Sequence, residues 1–523
     1  MRVDMKGTSK PLVHHWSVCV GAGRANEGLR ANWLEQLATS VKECGFKYLR
    51  FHGLFHDDMF VYRVRDGKEV FNWQYIDELF DRMLDMGIRP FVELGFCPGD
   101  LATETGTVFW WKANGSPPKD YAKWGELVEK FVRHCIQRYG LEEVRQWYFE
   151  VWNEPCFHYF WKGTRSQYFE LYRTSVDAIK KVDAKLRVGG PSAINCVADH
   201  RFDGEKEQPG LSAEALKSLN REDLNKLNWR PVWIEEFLEF CAANGLPVDF
   251  VSMHPYPVEA DIDPNGKWIG RSREASSTAK DLATVRQTVK ASKFPDAEIH
   301  LTEWSASSDC RDLAHDYPQS ATYIVRSNIE SSGLANSLSY WAFTDVFEEM
   351  GAGDTIFHGG FGLTNFQGIV KPAYHAYRFL HALGDQELGR GPGWIATRRS
   401  DGKMAALLYH YPPEYPDAPG MTRKPQGAEA VLASGKPVTM ELEFSNLPAG
   451  AAVAIETVDE DHGFAVRAWQ AMGSPEPPDR NQTQLLRKAA RDTATRFVRA
   501  GDDGLLKLSM AMKPWAVTLI QEL

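Results

Sequence analysis

FEVWNEP, residues 149–155, runs from strand-like residues into Asn153, Glu154 and a proline. Pro155 has no N–H to give to a ladder, so the strand stops there and leaves an acid at its end. Extended backwards, the stretch reads QWYFEVW (146–152), and seven others resemble it. These are HWSVCV (15–20), FKYLRF (46–51), IRPFVEL (88–94), LRVGG (186–190), VDFVSMH (248–254), EIHLTEW (298–304) and SLSYWAF (337–343). Between them lie segments with apolar residues at i, i+3, i+4 and i+7, such as NWLEQLATSVKECG, YIDELFDRMLDMG, YAKWGELVEKFVRHCIQRYG, QYFELYRTSVDAIKKV, VWIEEFLEFCAANG and SATYIVRSNIESSG. Several close on glycine, as helix C-termini do, and KPAYHAYRFLHAL supplies the last. Eight strand and helix units across residues 14–384 predict an α/β fold, a (β/α)8 TIM barrel, with a doubly wound open sheet as the alternative.

After Gly384 the pattern turns to β segments between Pro and Gly: GWIATRR, KMAALLYHY, PVTMELEFSNL, AAVAIETV and LKLSMAMKPWAVTLIQEL. Residues 385–523 therefore read as a β-sandwich, with one helical insert, QTQLLRKAARDTATRF (482–497).

Composition excludes several functions. The 523 residues are 43% hydrophobic and 25% charged, enough for a large core and two or three domains. A formal net charge of -10 argues against a nucleic-acid groove or an anionic membrane surface, both of which need clustered Lys and Arg. The 17 Trp suit either a large core or flat faces on which sugars stack. MRVDMKGTSKPLVHHW lacks an apolar signal region and no apolar run is long enough for a membrane helix, so a cytoplasmic protein is expected. Eight Cys stand singly without CxxC, implying reduced thiols rather than disulfides or zinc. GAGRANEG (21–28) has Asn26 where a dinucleotide fingerprint needs its third glycine, and is set aside as a nucleotide site.

In such a barrel, side chains at the C-terminal strand ends converge on one mouth. Glu154 follows the fourth strand and Glu303, in LTEW, ends the seventh, across the mouth. Two carboxylates facing each other across a polar cleft suit glycoside hydrolysis, one protonating the leaving oxygen and the other attacking or activating water.

FEVWNEP with LTEW resembles the paired motifs of retaining glycosidases. GAGRANEGLR, YLRFHGLFHDDM, WWKANGSPPKDYAKW, SMHPYP and YWAFTDVFEEMG with FHGGFGL extend the likeness to glycoside hydrolase family 39, in its bacterial β-xylosidase branch. The resemblance implies Glu154 as general acid/base and Glu303 as nucleophile, with carboxyls roughly 5 to 5.5 Å apart. It further implies Asn153 on the sugar 2-OH, with His52, His254, Glu348 and Glu349 on its other hydroxyls. Tyr256 would hold Glu303 ionised and Trp341 would floor the pocket. No cofactor or metal is implied, and the run His56, Asp57 and Asp58 is a poor metal site because consecutive residues rarely face one ion. In the family, residues such as 1–13 join the sandwich.

The implied substrate is a small xylo-oligosaccharide, attacked at its non-reducing end. An α-L-iduronide, β-galactoside or α-L-arabinoside stays open, as does a non-catalytic sugar-binding barrel. An iduronide would want Arg or Lys near the site, where the quoted motifs are read as offering acids and aromatics. Residues 199–230 read as a long polar insertion on the catalytic face, able to narrow the pocket or meet a neighbouring subunit. Association of copies is left open.

Overall fold

Eight parallel strands close on themselves in the computed structural model, which describes residues 1–157, 159–194, 231–262 and 268–523. They are β1 (Cys19–Arg24), β2 (Tyr48–His52), β3 (Arg89–Leu94), β4 (Tyr148–Val151), β5 (Arg187–Ile194), β6 (Phe250–His254), β7 (Glu298–Trp304) and β8 (Ser337–Tyr340). Each pairs with its sequence neighbours, and Tyr340 of β8 meets Val20 of β1 to complete the TIM barrel. The insertion at 199–230 lies outside the described residues.

Helices α1 (Ala31–Cys44), α2 (Gln74–Asp85), α3 (Tyr121–Tyr139), α4 (Arg165–Val182), α5 (Val232–Ala243), α6 (Ser277–Ala291), α7 (Pro318–Glu330) and α8 (Pro372–His381) flank the strands. Their ends follow local chemistry. Thr164 and Gln167 form a capping box at the start of α4, Asp120 accepts from the Lys123 N–H at the start of α3, and α7 and α8 open on proline. Gly45, at φ +72°, ends α1 in the left-handed conformation.

Three expectations need correction. The first strand is Cys19–Arg24, not 15–20, and His15–Ser17 form a 3-10 turn. Glycines at 21 and 23 hide this strand from propensity, but pairing with β2 and β8 overrides it. Helix α6 was not marked in the sequence because Leu282, Val285 and Val289 share its buried face with Ser277, Thr278 and Asp281, which breaks the apolar period. The C-terminal helix is Arg480–Arg491, and Ala494–Arg499 is a strand that pairs with Ala452–Val458.

Beyond the barrel, two sheets stack. Six strands from Gln386 onward, with Lys10–Pro11 at one edge, make the larger sheet. The smaller holds Arg2–Asp4 in parallel with Val438–Ser445, which pairs with Leu506–Met512. Leu506–Met512 alternates buried and exposed at every residue, so one face is solvated, and Leu442, Phe444, Leu508 and Met510 join Ile455 and Ile520 in the core between the sheets. Trp515 ties this region to the barrel: it is fully buried and its carbonyl accepts from Thr322 Oγ1 on α7.

Candidate active site

Alternate residues of barrel strands face inward, and along each strand the inward series changes character. Cys19, Phe91, Tyr148 and Phe250 form an apolar plug inside the barrel. Two residues further along their strands come Glu93, Glu150 and Ser252, with Arg50 on β2, all buried.

Arg50 organises this layer. Its Nε donates to Glu150 Oε2 at 2.6 Å, Nη1 to Glu303 Oε1 at 2.6 Å and Nη2 to Asn153 Oδ1 at 2.8 Å, while Glu93 Oε2 lies 2.9 Å from Nη2. A planar fork with five N–H groups can satisfy so many acceptors and a lysine ammonium could not. Glu93 also meets His52 Nδ1 at 2.6 Å.

Glu303 sits where the β7–β8 register shifts between Leu301 and Trp304, an irregularity that re-aims side chains at a strand end. Tyr256 donates its hydroxyl to Glu303 Oε2 at 3.1 Å, and His52 Nε2 lies 3.4 Å from Oε1. Glu154 stands at φ +46° and Trp152 at φ +72°, conformations unfavourable for non-glycine residues. The Glu154 N–H bond to the Ser192 carbonyl (3.2 Å) and the Trp152 indole bond to the Phe160 carbonyl (3.2 Å) hold that turn. His254 Nδ1 is 2.7 Å from Glu154 Oε1.

Carboxylate oxygens of Glu154 and Glu303 and a ring nitrogen of His254 all lie within 4.8 Å of one another. Such a trio could ligate a cation, but the Arg50 guanidinium already supplies positive charge to Glu303. The environment separates the two acids. Burial first, then the Glu303 charge, holds the Glu154 carboxyl well above the usual range. Burial raises Glu303 too, opposed by Arg50, so Glu154 keeps its proton to higher pH. His254 is pushed well below its ordinary value by burial and by Arg50, and stays neutral.

The acids stand on the wall of a recess of about 480 Å³ that is also lined by His52, Tyr256, Trp341 and Glu349. Burial and then the Glu303 charge push the Glu349 carboxyl well upward. His254 sits wholly buried beside Glu154. Asn153 is buried, and its Nδ2 meets no acceptor among the described residues. Glu348, expected among the hydroxyl binders, is not among the lining residues: its carboxylate binds Arg24 at 2.9 Å and Arg30 at 2.8 Å. Asp58 is likewise paired with Arg24, and Asp57 accepts from the Gly99 N–H.

Sequence reasoning missed Arg50, Glu93 and Glu150. A charged residue flanked by Leu49 and Phe51 in a strand buried on both faces had to find buried partners, and that was the available signal. It also missed Arg423, which lies outside the quoted motifs and lines the recess, so the site offers Arg side chains as well as acids and aromatics. Of the WW pair, Trp111 packs beneath Arg24, whereas Trp110 is exposed.

The GAG stretch has a packing reason. A Cβ on Gly21 would stand 2.3 Å from Trp341 Cε3, and one on Gly23 would stand 2.3 Å from Glu27 Oε2. Gly21→Ala must therefore displace the Trp341 ring, and kcat/KM on an aryl glycoside should fall about 10- to 100-fold. Near wild-type kinetics would remove Trp341 from the working pocket.

The family model for glycosyl hydrolases family 39 matches residues 1–202 and 228–504. The chain belongs to glycosyl hydrolases family 39. As a member of family 39 it is a retaining glycosidase. It is 38% identical over 517 residues to a β-xylosidase of Geobacillus stearothermophilus, covering 97% of this chain and 92% of that one. Against a β-xylosidase of Caldicellulosiruptor saccharolyticus the identity is 36% over 487 residues, covering 91% and 88%. The crystal structure of a family 39 enzyme from Xanthomonas axonopodis pv. citri superposes with a TM-score of 0.85 at 34% identity, covering 100% of this chain and 96% of that one.

Proposed function

We propose that this family 39 glycosidase is an exo-acting β-xylosidase that releases xylose from the non-reducing end of short xylo-oligosaccharides. The observation that carries the reading is the Glu154–Glu303 approach to within 4.8 Å, the short spacing of double displacement rather than the wider gap that admits a water. Glu303, fixed by Arg50 and Tyr256, attacks the anomeric carbon. Glu154 gives its proton to the departing oxygen. Once Glu303 is esterified its charge is gone, the Glu154 carboxyl becomes more acidic, and it takes a proton from the water that cleaves the ester.

Asn153 Nδ2, buried next to Glu154 in the chain and without an acceptor among the described residues, is a donor suited to the sugar 2-OH, and His52 and Glu349 line the recess for the other hydroxyls. Trp341 and Phe361 give it an apolar wall. Removal of one terminal sugar fits acids that are only 6% and 5% exposed. Xylose is the preferred sugar because the two relatives at 36–38% identity are β-xylosidases.

We assign residues 14–384 to the catalytic barrel and residues 385–523, joined by 1–13, to the sandwich, since Arg2–Asp4 and Lys10–Pro11 pair there. We place the enzyme in the cytoplasm, where the buried thiols of Cys19, Cys44, Cys97, Cys135, Cys241 and Cys310 stay reduced. Among the described residues no helix is long and apolar enough to cross a membrane.

The test is NMR of the first product formed from xylobiose. β-Xylose as the first anomer is expected. α-Xylose would end the double-displacement reading, and an uncleaved xylobiose with another glycoside turned over would change the sugar.

A further inference from the structure

The recess wall includes two residues from far along the chain, Met421 and Arg423. Their backbone is pinned to the loop after β7. Asp312, wholly buried, accepts from the Met421 N–H and, at 3.1 Å, from the Thr422 N–H. Leu313 N–H donates to the Thr422 carbonyl at 2.8 Å, and Ser307 Oγ reaches Met421 Sδ at 3.6 Å. Arg423 is thus held by its backbone, and its side chain is fixed at the near end, where Nε donates to Asp309.

Nη1 and Nη2 of Arg423 meet no acceptor among the described residues, and the side chain is 66% exposed. Among the described lining residues Arg423 is the only Lys or Arg, whereas Glu154, Glu303, Glu349 and Asp309 are acids. Of these acids Glu303 and Asp309 oppose an anionic substrate, and among the described lining residues the Arg423 guanidinium is the cation that can attract one.

We propose that Arg423 determines aglycone selectivity, favouring leaving groups that carry a carboxylate. This rests on the β-xylosidase reading of the site. The sugar to be cleaved must reach the buried pair Glu154 and Glu303, so the rest of the substrate leaves through the mouth, where Arg423 is exposed. Its two terminal nitrogens present parallel N–H donors that match both oxygens of a carboxylate, and the Asp309 contact on Nε fixes the direction of that fork. Asp309 also offsets part of the Arg423 charge, so what it confers is preference rather than an absolute requirement.

The experiment compares kcat/KM for 4-carboxyphenyl β-D-xyloside with that for its neutral 4-carbamoylphenyl analogue, in wild type, Arg423→Gln and Arg423→Lys. Taking the carboxylate-to-amide ratio in each protein cancels the difference in leaving-group reactivity. The ratio should fall about three- to fivefold in Arg423→Gln, as suits a partly exposed charge pair, and less in Arg423→Lys. The wild-type ratio should also fall as salt rises from about 0.01 to 1 M. An unchanged ratio in Arg423→Gln, with an unaltered Tm and both substrates cleaved, overturns the role of Arg423 alone. Failure of wild type to cleave either xyloside overturns the β-xylosidase reading and this proposal with it.

Discussion

Glu303→Ala should retain less than about one part in 10⁴ of wild-type turnover on every substrate, aryl xylosides with good leaving groups included. The reason is positional. The anomeric carbon needs an anionic oxygen on the face opposite the leaving group, and Glu303 is the carboxylate held ready for that, with Oε1 on Arg50 and Oε2 on Tyr256. A good leaving group relieves the need for protonation but not the need for an attacking atom, so activation of the substrate should not rescue this variant. Azide, entering the space vacated by the carboxylate, should restore slow turnover and give the α-glycosyl azide. The fold should survive, because Arg50 retains Glu93 and Glu150 when Glu303 is gone. Turnover within about 100-fold of wild type, in a variant with an unshifted Tm, would take the nucleophile's role from Glu303.

The strand ends that carry these acids were legible because a barrel places chemistry where strands stop, and FEVWNEP and LTEW announce both strand and stop. Six of the eight strands lie within the stretches marked for them or overlap them closely; β5 runs four residues past LRVGG, and β1 was displaced because its glycines serve Trp341 and Glu27, which no local propensity records. The layer beneath the acids was harder to see. Arg50, Glu93 and Glu150 lie on three different strands and become one network only when the barrel closes, so each alone reads as an odd charge in an apolar run. Glu348 and Glu349 show the same limit in reverse. As neighbours they looked like a pair, yet one binds Arg24 and Arg30 while the other lines the recess.

Glu154→Ala should divide substrates by leaving group. On xylobiose, whose departing alkoxide must be protonated, kcat/KM should fall by about 10³-fold, within the usual range for a general acid. On an aryl xyloside with a nitrophenolate leaving group, the first step needs no proton and should proceed, leaving hydrolysis of the ester as the slow step. Azide needs no base to attack that ester, so it should accelerate turnover and yield the β-glycosyl azide, the opposite anomer to the one expected from Glu303→Ala. The pH dependence supplies a second check, with a sign fixed by the site. Burial and the Glu303 charge raise the Glu154 carboxyl, so wild-type kcat/KM should fall on the alkaline side as that proton is lost, and on the acid side as Glu303 gains one. Removing Glu154 should erase the alkaline limb for aryl substrates and leave the acid limb in place. The His254 ring, neutral across this range, loses its contact with Glu154 Oε1 in the variant and adds no titration of its own. If xylobiose and the aryl xyloside lost activity to the same degree, and azide changed neither rate nor product, the proton would have to come from another group in the recess.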